Sequence, residues 1–148
     1  MNGISLATSR VYLDANAVIR FIESAETAIG FVFDRARIGA ARIFTSELTL
    51  AEVLVAPLRN GELEIVAAYE EFLRGDDLMR VVPIDRDILI RSANFRAMSG
   101  TKTPDSIHIA TAVTMQCDVL ISSDRRLRMP DGILRLSIED ADKLDLWP

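Results

Sequence analysis

The sequence has almost none of the residues that build disulfides and zinc sites. Its 148 residues include one cysteine, Cys117, and one histidine, His108. A single cysteine forms no intramolecular disulfide, and one cysteine with one histidine cannot supply the four ligands of a structural zinc site. Any metal ion bound by this chain must therefore be held by oxygen ligands.

Long apolar runs are also missing. No run approaches the ~18 residues that a membrane-spanning helix needs, and the opening MNGISLATS lacks the basic and apolar regions of a secretory signal. We therefore expect a cytoplasmic protein with no membrane segment. The 148-residue length and the 49% content of hydrophobic residues predict a single domain over residues 1–148, with about residues 1–9 disordered.

Positive charge is scarce. The net charge is −5, whereas domains that bind nucleic acids are usually basic. However, a cluster of acids that binds cations lowers the net charge by itself. All basic residues except Lys102 and Lys143 are arginines, which suit bidentate phosphate contacts. The charge balance therefore leaves the class of substrate open.

Short β-branched runs alternate with helical patterns along the chain. Strands are predicted at residues 10–13, 42–45, 79–84, 118–122 and 133–136, and helices at residues 16–23, 26–40, 47–56, 62–74, 86–98 and 104–116. This alternation predicts an α/β fold, a three-layer α/β/α sandwich with a mostly parallel five-stranded sheet. Such sheets bind ligands at the carboxyl ends of their strands, near a topological switch point.

Two acidic residues follow predicted strands at that edge. Asp14 is the only charged residue in residues 11–19 and lies where the first strand ends, and Asp124 follows the fourth strand. The alternative for each is a capping role, Asp14 for the next helix and Asp124 for the next turn. Asp118 enters the fourth strand at its opposite end, so we interpret it as a solvated residue outside the site.

Two more acidic residues lie in apolar helical segments. Glu52 is the only charged residue in residues 48–58, so we expect it to be neutralised by a metal ion, by a raised pKa or by a buried pair with an arginine. Asp105 lies in the first turn of a helix that we expect Thr103 to cap and Pro104 to open, so an ordinary helix-start role is its alternative. The rest of that helix is apolar enough to be buried, and it brings one carboxylate to the sheet edge.

His108 lies one helical turn beyond Asp105. A metal-independent ribonuclease commonly needs paired acid and base groups such as two histidines, and this chain has one. We therefore interpret His108 as a core residue or as a support for the acidic site.

Taken in order, these positions resemble the motifs of the PIN-domain family, and within it the VapC-type toxins of toxin–antitoxin modules. The resemblance covers nearly the whole chain and is carried by LDAN at residues 13–16, FTSELTLAEVL at 44–54, PDSIHIATA at 104–112 and VLISSDRRL at 119–127. Two positions depart from the family pattern. Ala15 replaces a threonine, and Leu127 replaces an aromatic residue.

The resemblance implies a ribonuclease that depends on Mg²⁺, with Mn²⁺ as an alternative, and that cleaves RNA through metal-activated water to leave 5′-phosphate and 3′-hydroxyl ends. It assigns catalysis to Asp14, Glu52, Asp105 and Asp124, with Asp14 and Asp105 in direct contact with the metal. It also implies a cognate antitoxin protein and a homodimer.

The arginines at positions 125, 126 and 128 are candidates for RNA contact because they follow Asp124. Their alternative is a solvated turn or an antitoxin-binding face. Other functions also remain open at this point, namely a solitary nuclease, a non-catalytic PIN-like RNA-binding module and a phosphoacceptor receiver domain. A receiver would need an acidic pair after the first strand and a lysine at the end of a late strand, and the sequence has neither.

Overall fold

The computed structural model describes residues 8–146, and its side chains over residues 8–143. Strands and helices alternate through this range. In chain order they are β1 (Ser9–Leu13), α1 (Ala15–Ser24), α2 (Thr27–Arg37), β2 (Ala41–Ser46), α3 (Glu47–Val53), α4 (Val55–Asn60), α5 (Leu63–Phe72), β3 (Met79–Val82), α6 (Arg86–Ser99), α7 (Thr103–Thr114), β4 (Val119–Ile121), β5 (Leu134–Leu136) and a 3₁₀ helix (Ile138–Leu146).

The strands form one five-stranded sheet in the order β3-β2-β1-β4-β5, and every neighbouring pair is parallel. The chain builds outward from β1 through β2 to β3, and then returns to the other side of β1 for β4. The topological switch point therefore lies between β1 and β4. The predicted α/β class and parallel sheet are confirmed. The receiver alternative is wrong, because receiver sheets follow the order 2-1-3-4-5.

Side-chain alternation along the strands creates a core on each face of the sheet. Val11 and Leu13 of β1 pack in the core that includes buried residues of α1, α2 and α5. Tyr12 points to the opposite face and packs in the core under α7. Because consecutive strand residues face opposite sides, β1 contributes to both cores, and the sheet is the middle layer of a three-layer sandwich.

Several predicted boundaries are wrong, and prolines explain two of them. The predicted helix 47–56 is divided at Leu54 into α3 and α4, because Pro57 has no N–H to donate to the carbonyl of Val53. Strand β3 ends at Val82 rather than at residue 84, since Pro83 cannot donate to the ladder. Helix α2 ends at Arg37 rather than at residue 40, ahead of Gly39, whose φ is +79°.

The two chain ends differ from expectation in other ways. The predicted disorder of residues 1–9 lies mostly outside the described residues, but Ser9 already belongs to β1. The 3₁₀ helix after β5 was not predicted, and its Ile138 is fully buried against the α2 side of the core. Within the described range, no helix is both long enough and apolar enough to cross a membrane.

Candidate active site

Asp14 lies between the last residue of β1 and the first residue of α1. Its Oδ1 accepts a hydrogen bond of 2.9 Å from the backbone N–H of Ala17, so it is the N-cap of α1. Its side chain is also hydrogen-bonded to Ser122, at the end of β4. The capping interpretation therefore holds, and it places the carboxylate at the switch point between β1 and β4.

Burial dominates the electrostatics of Asp14, which is 9% exposed. Loss of solvent raises the pKa of its carboxyl, the hydrogen bonds from Ser122 and Ala17 oppose this rise, and the negative charge of Glu52 adds to it. Asp14 is therefore close enough to Glu52 for the two charges to interact.

Glu52 lies on α3, and its side chain is 33% exposed. It is thus less buried than the apolar sequence around it predicts. The expected alternative of a buried pair with an arginine is wrong, because its carboxylate Oε1 lies 2.5 Å from Nε2 of His108. His108 is on α7, so this contact joins two helices that are separate in the sequence.

His108 is 5% exposed and lies between two polar partners. Its Nδ1 lies 2.5 Å from the hydroxyl of Tyr12, and its Nε2 contacts Glu52. Burial raises the pKa of Tyr12 well above its ordinary value, and the charges of Asp14 and Glu52 contribute to that rise. The tyrosine therefore keeps its proton. The predicted core or supporting placement of His108 agrees with these contacts.

Asp105 lies in the first turn of α7. The helix begins at Thr103 with Lys102 at the N-cap position and no capping side chain, so the expected cap by Thr103 is wrong. The pKa of Asp105 is raised, first by burial and then by the charges of Asp124 and Glu52, whereas the positive charge of Lys102 acts in the opposite direction. Asp105 thus shares an electrostatic environment with two other acids of the predicted site.

Asp124 follows β4 and has a local role as well. Its Oδ1 accepts a 2.9 Å hydrogen bond from the backbone N–H of Arg126, as the turn-capping alternative expects. Asp118, at the other end of β4, is exposed as predicted, and its Oδ2 accepts a 2.8 Å hydrogen bond from the backbone N–H of Arg10. The two acids therefore mark opposite ends of one strand.

A cavity of about 310 Å³ opens beside Asp105 and Asp124. Lys102, Arg126 and Arg128 line the same cavity, so two carboxylates and three cationic side chains share its wall. Lys102 was not predicted as a site residue. A larger cavity of about 530 Å³ lies against β2 and β3 and contains none of the four predicted acids in its wall. We assign the site from its chemistry rather than from cavity size.

The donor set fits a hard divalent cation. All four acids offer oxygen ligands. Burial, and after it the neighbouring negative charges, raises the pKa values of Asp14 and Asp105, and a bound cation offsets this cost of holding the two carboxylates ionised. Within residues 8–143, no three acidic, histidine or cysteine side chains are arranged as a metal-ligand group. Mg²⁺ is commonly held by one or two protein carboxylates, with water and substrate phosphate as the other ligands.

Comparison with family models decides the family. The model of the PIN domain matches residues 11–132, a range that contains all four acids. The chain belongs to the PIN domain family. A comparison of this PIN domain with curated proteins finds no significant match.

Solved structures share the fold of this PIN domain. They include a toxin–antitoxin complex from Klebsiella pneumoniae, with a TM-score of 0.63 and 21% identity over 83% of this chain and 94% of that chain. VapBC2 from Rickettsia felis, bound to a DNA fragment from its promoter, has a TM-score of 0.70 and 10% identity over 86% and 98%. VapC20 from Mycobacterium tuberculosis, a sarcin-ricin loop cleaving toxin, has a TM-score of 0.63 and 12% identity over 78% and 91%.

Tyr12 and Ser122 are the buried polar residues that sequence reasoning left out of the site. Ser122 was noted only as part of a motif, and Tyr12 was not considered. A signal for Tyr12 existed, because strand alternation places it opposite Leu13, on the sheet face that a buried α7 must cover. A buried hydroxyl needs a hydrogen-bond partner, and α7 contains the histidine of the sequence, so a hydrogen bond between Tyr12 and His108 could have been predicted.

Proposed function

We propose that this PIN domain is a Mg²⁺-dependent ribonuclease, with Mn²⁺ as an alternative ion, and that it is a VapC-type toxin of a type II toxin–antitoxin pair. One observation carries the proposal. Burial and neighbouring carboxylates raise the pKa of both Asp14 and Asp105 at the carboxyl edge of the sheet. Ionised carboxylates in such a site are unfavourable when no cation is bound, and a bound divalent cation offsets that cost.

Asp14 and Asp105 are the proposed direct ligands, and Glu52 and Asp124 act through water or complete a second metal position. A bound divalent ion supplies charge stabilisation at the scissile phosphate and lowers the pKa of an attacking water. The products are then 5′-phosphate and 3′-hydroxyl ends.

The cationic side chains near the acids have a separate role. Lys102, Arg126 and Arg128 line the cavity that contains Asp105 and Asp124, and they are suited to bind phosphate oxygens on either side of the scissile bond. Arg125 is exposed and is not part of the wall of this cavity. Recognition of RNA thus relies on arginine and lysine contacts, because aromatic residues make up only 6% of the sequence.

The proposed partners are an RNA substrate, a cognate antitoxin and a second copy of the chain. The structural neighbour from K. pneumoniae is itself a toxin–antitoxin complex, which supports the antitoxin. Exposed apolar side chains on α4 and at the start of α5, at Val55, Leu58 and Leu63, offer contact area for association. Under this proposal residues 1–148 form one domain that acts in the cytoplasm.

The decisive experiment compares Asp105→Asn with a charge-matched control, Asp118→Asn. Both substitutions remove one carboxylate, but Asp118 lies at the opposite end of β4, outside the proposed site. RNA cleavage with added Mg²⁺ should fall by about 100-fold or more in Asp105→Asn and stay at the wild-type level in Asp118→Asn. EDTA should abolish the wild-type activity.

Cleavage that persists in EDTA, or full activity in Asp105→Asn, contradicts the proposal. RNA binding without cleavage at any tested Mg²⁺ or Mn²⁺ concentration identifies the non-catalytic module instead. Size-exclusion chromatography with light scattering tests the dimer, and a monomer at micromolar concentration rules it out.

A further inference from the structure

We propose that Tyr12 and His108 are positioning residues that hold the Glu52 carboxylate near Asp14 and Asp105 through a hydrogen-bond chain of fixed direction. The chain runs from the hydroxyl of Tyr12 through the imidazole of His108 to Glu52. Its consequence for metal binding rests on the proposed function, since Glu52 is taken there as a group that binds the ion directly or through water.

The contacts of the chain run from the central strand to two helices. The hydroxyl of Tyr12, on β1, lies 2.5 Å from Nδ1 of His108, on α7, and Nε2 of His108 lies 2.5 Å from Oε1 of Glu52, on α3. Tyr12 is fully buried, and His108 is 5% exposed.

The acceptor at the end of the chain fixes the direction of the hydrogen bonds within it. A carboxylate only accepts hydrogen bonds, so Nε2 of His108 donates its proton to Glu52. The buried hydroxyl of Tyr12 has one proton and donates it to Nδ1 of His108. The arrangement therefore selects the Nε2–H tautomer of the imidazole.

Glu52 needs such support because its own helix does not provide it. Helix α3 is seven residues long and ends before the break at Leu54, and the Glu52 side chain is one-third exposed, so it has rotamers that point into solvent. The buried imidazole holds Oε1 and leaves Oε2 to face a cation or its water. A ligand side chain oriented by a buried partner is preorganised for its ion.

The tautomer can be read directly because His108 is the only histidine in the sequence. A tag-free sample labelled with ¹⁵N-histidine gives the ring resonances of one imidazole, with neither metal nor RNA present. We expect the ring proton on Nε2 and no proton on Nδ1, as the two hydrogen-bond contacts of the ring require. In Tyr12→Phe the locked state should give way to a mixture of tautomers, seen as convergence of the two nitrogen shifts.

A second measurement follows the consequence for Glu52. Mn²⁺ binding, measured by the electron paramagnetic resonance signal of the free ion, should weaken about 10-fold or more in Tyr12→Phe and in His108→Leu. His108→Gln, which keeps an N–H donor near Glu52, should restore most of the affinity. The matched control is Tyr69→Phe, because Tyr69 is the other tyrosine, is fully buried and donates its hydroxyl to Glu23, away from the site.

The possible outcomes test the hydrogen-bond chain, the positioning role and the metal-dependent function separately. Nδ1–H or a doubly protonated ring in the wild type refutes the direction of the chain. Equal Mn²⁺ affinity in Tyr12→Phe and Tyr69→Phe, with circular dichroism showing both folded, refutes the positioning role. If the wild type has the expected tautomer but binds no Mn²⁺, the metal-dependent function fails while the hydrogen-bond chain stands.

Discussion

Two substitutions at Asp14 separate its capping role from its proposed role as a metal ligand. Asparagine keeps a side-chain oxygen for the N–H of Ala17 but carries no charge, whereas alanine has neither. In metal-free protein, Asp14→Asn should be at least as stable as the wild type, because it removes a buried charge that interacts with Glu52. Asp14→Ala should be less stable than Asp14→Asn.

The structure sets the size of this difference. Loss of an N-cap costs about 1 kcal/mol on average and up to about 2 kcal/mol, and the 2.9 Å bond to Ala17 is buried, which favours the upper half of that range. For a chain of this size, each kcal/mol corresponds to about 2–4 °C in melting temperature. A metal ion at about 100 times its Kd adds about 2.7 kcal/mol to the wild type alone.

Urea unfolding followed by far-UV circular dichroism, in EDTA and in excess Mg²⁺, measures both effects. In EDTA, the urea midpoint of Asp14→Asn should equal or exceed that of the wild type, and the midpoint of Asp14→Ala should be the lowest of the three. In excess Mg²⁺, only the midpoint of the wild type should rise. Equal midpoints for the Asn and Ala variants in EDTA refute the capping argument. If Mg²⁺ stabilises either variant as much as it stabilises the wild type, Asp14 is not a metal ligand.

Three further outcomes are expected. The pKa values of Asp14 and Asp105 are raised in the folded protein, so the folded protein binds protons more tightly than the unfolded chain does. The free energy of unfolding without metal should therefore fall as the pH rises from about 4 through the raised pKa values. Urea midpoints measured at several pH values should show a smaller fall in Asp14→Asn than in the wild type. RNA with a 2′-O-methyl group at the scissile position should still be cleaved if it binds, and mass spectrometry that finds a 2′,3′-cyclic phosphate end contradicts attack by water. Leu120→Ala should lower the unfolding free energy by about 2–5 kcal/mol, since Leu120 is fully buried under α7; a loss in urea titration below about 1 kcal/mol contradicts that packing.

The sheet could be predicted from the sequence because buried parallel strands are short β-branched runs with few alternatives. Each of the five predicted strands overlaps an observed one, and Asp14 and Asp124 follow β1 and β4 as expected. Asp14, Glu52 and Asp105 stood out because each brings a lone charge to an apolar segment, and Asp124 stood out because it follows a buried strand. That signal depends on local sequence alone, so it needs no knowledge of which helices pack together.

Contacts between distant elements could not be predicted in the same way. The partner of Glu52 is 56 positions away, and choosing His108 over an arginine requires knowing that α3 and α7 are neighbours. Lys102 joins the cavity only because the start of α7 lies next to the turn after β4. The extent of Glu52 exposure likewise depends on the break at Leu54, which shortens α3.

The pairing of β1 with β4 joins residues that the ribosome makes far apart in time. Val11 lies beside Val119, and Leu13 beside Ile121. At about 5–20 residues per second, a nascent chain spends several seconds with one edge of its central strand unpaired. During that interval Asp14 lacks Ser122 as a hydrogen-bond partner. Under the proposed function, a ribosome in mid-translation therefore carries a chain whose active site is not yet assembled, and its own messenger RNA meets the nuclease only after β4 has been synthesised.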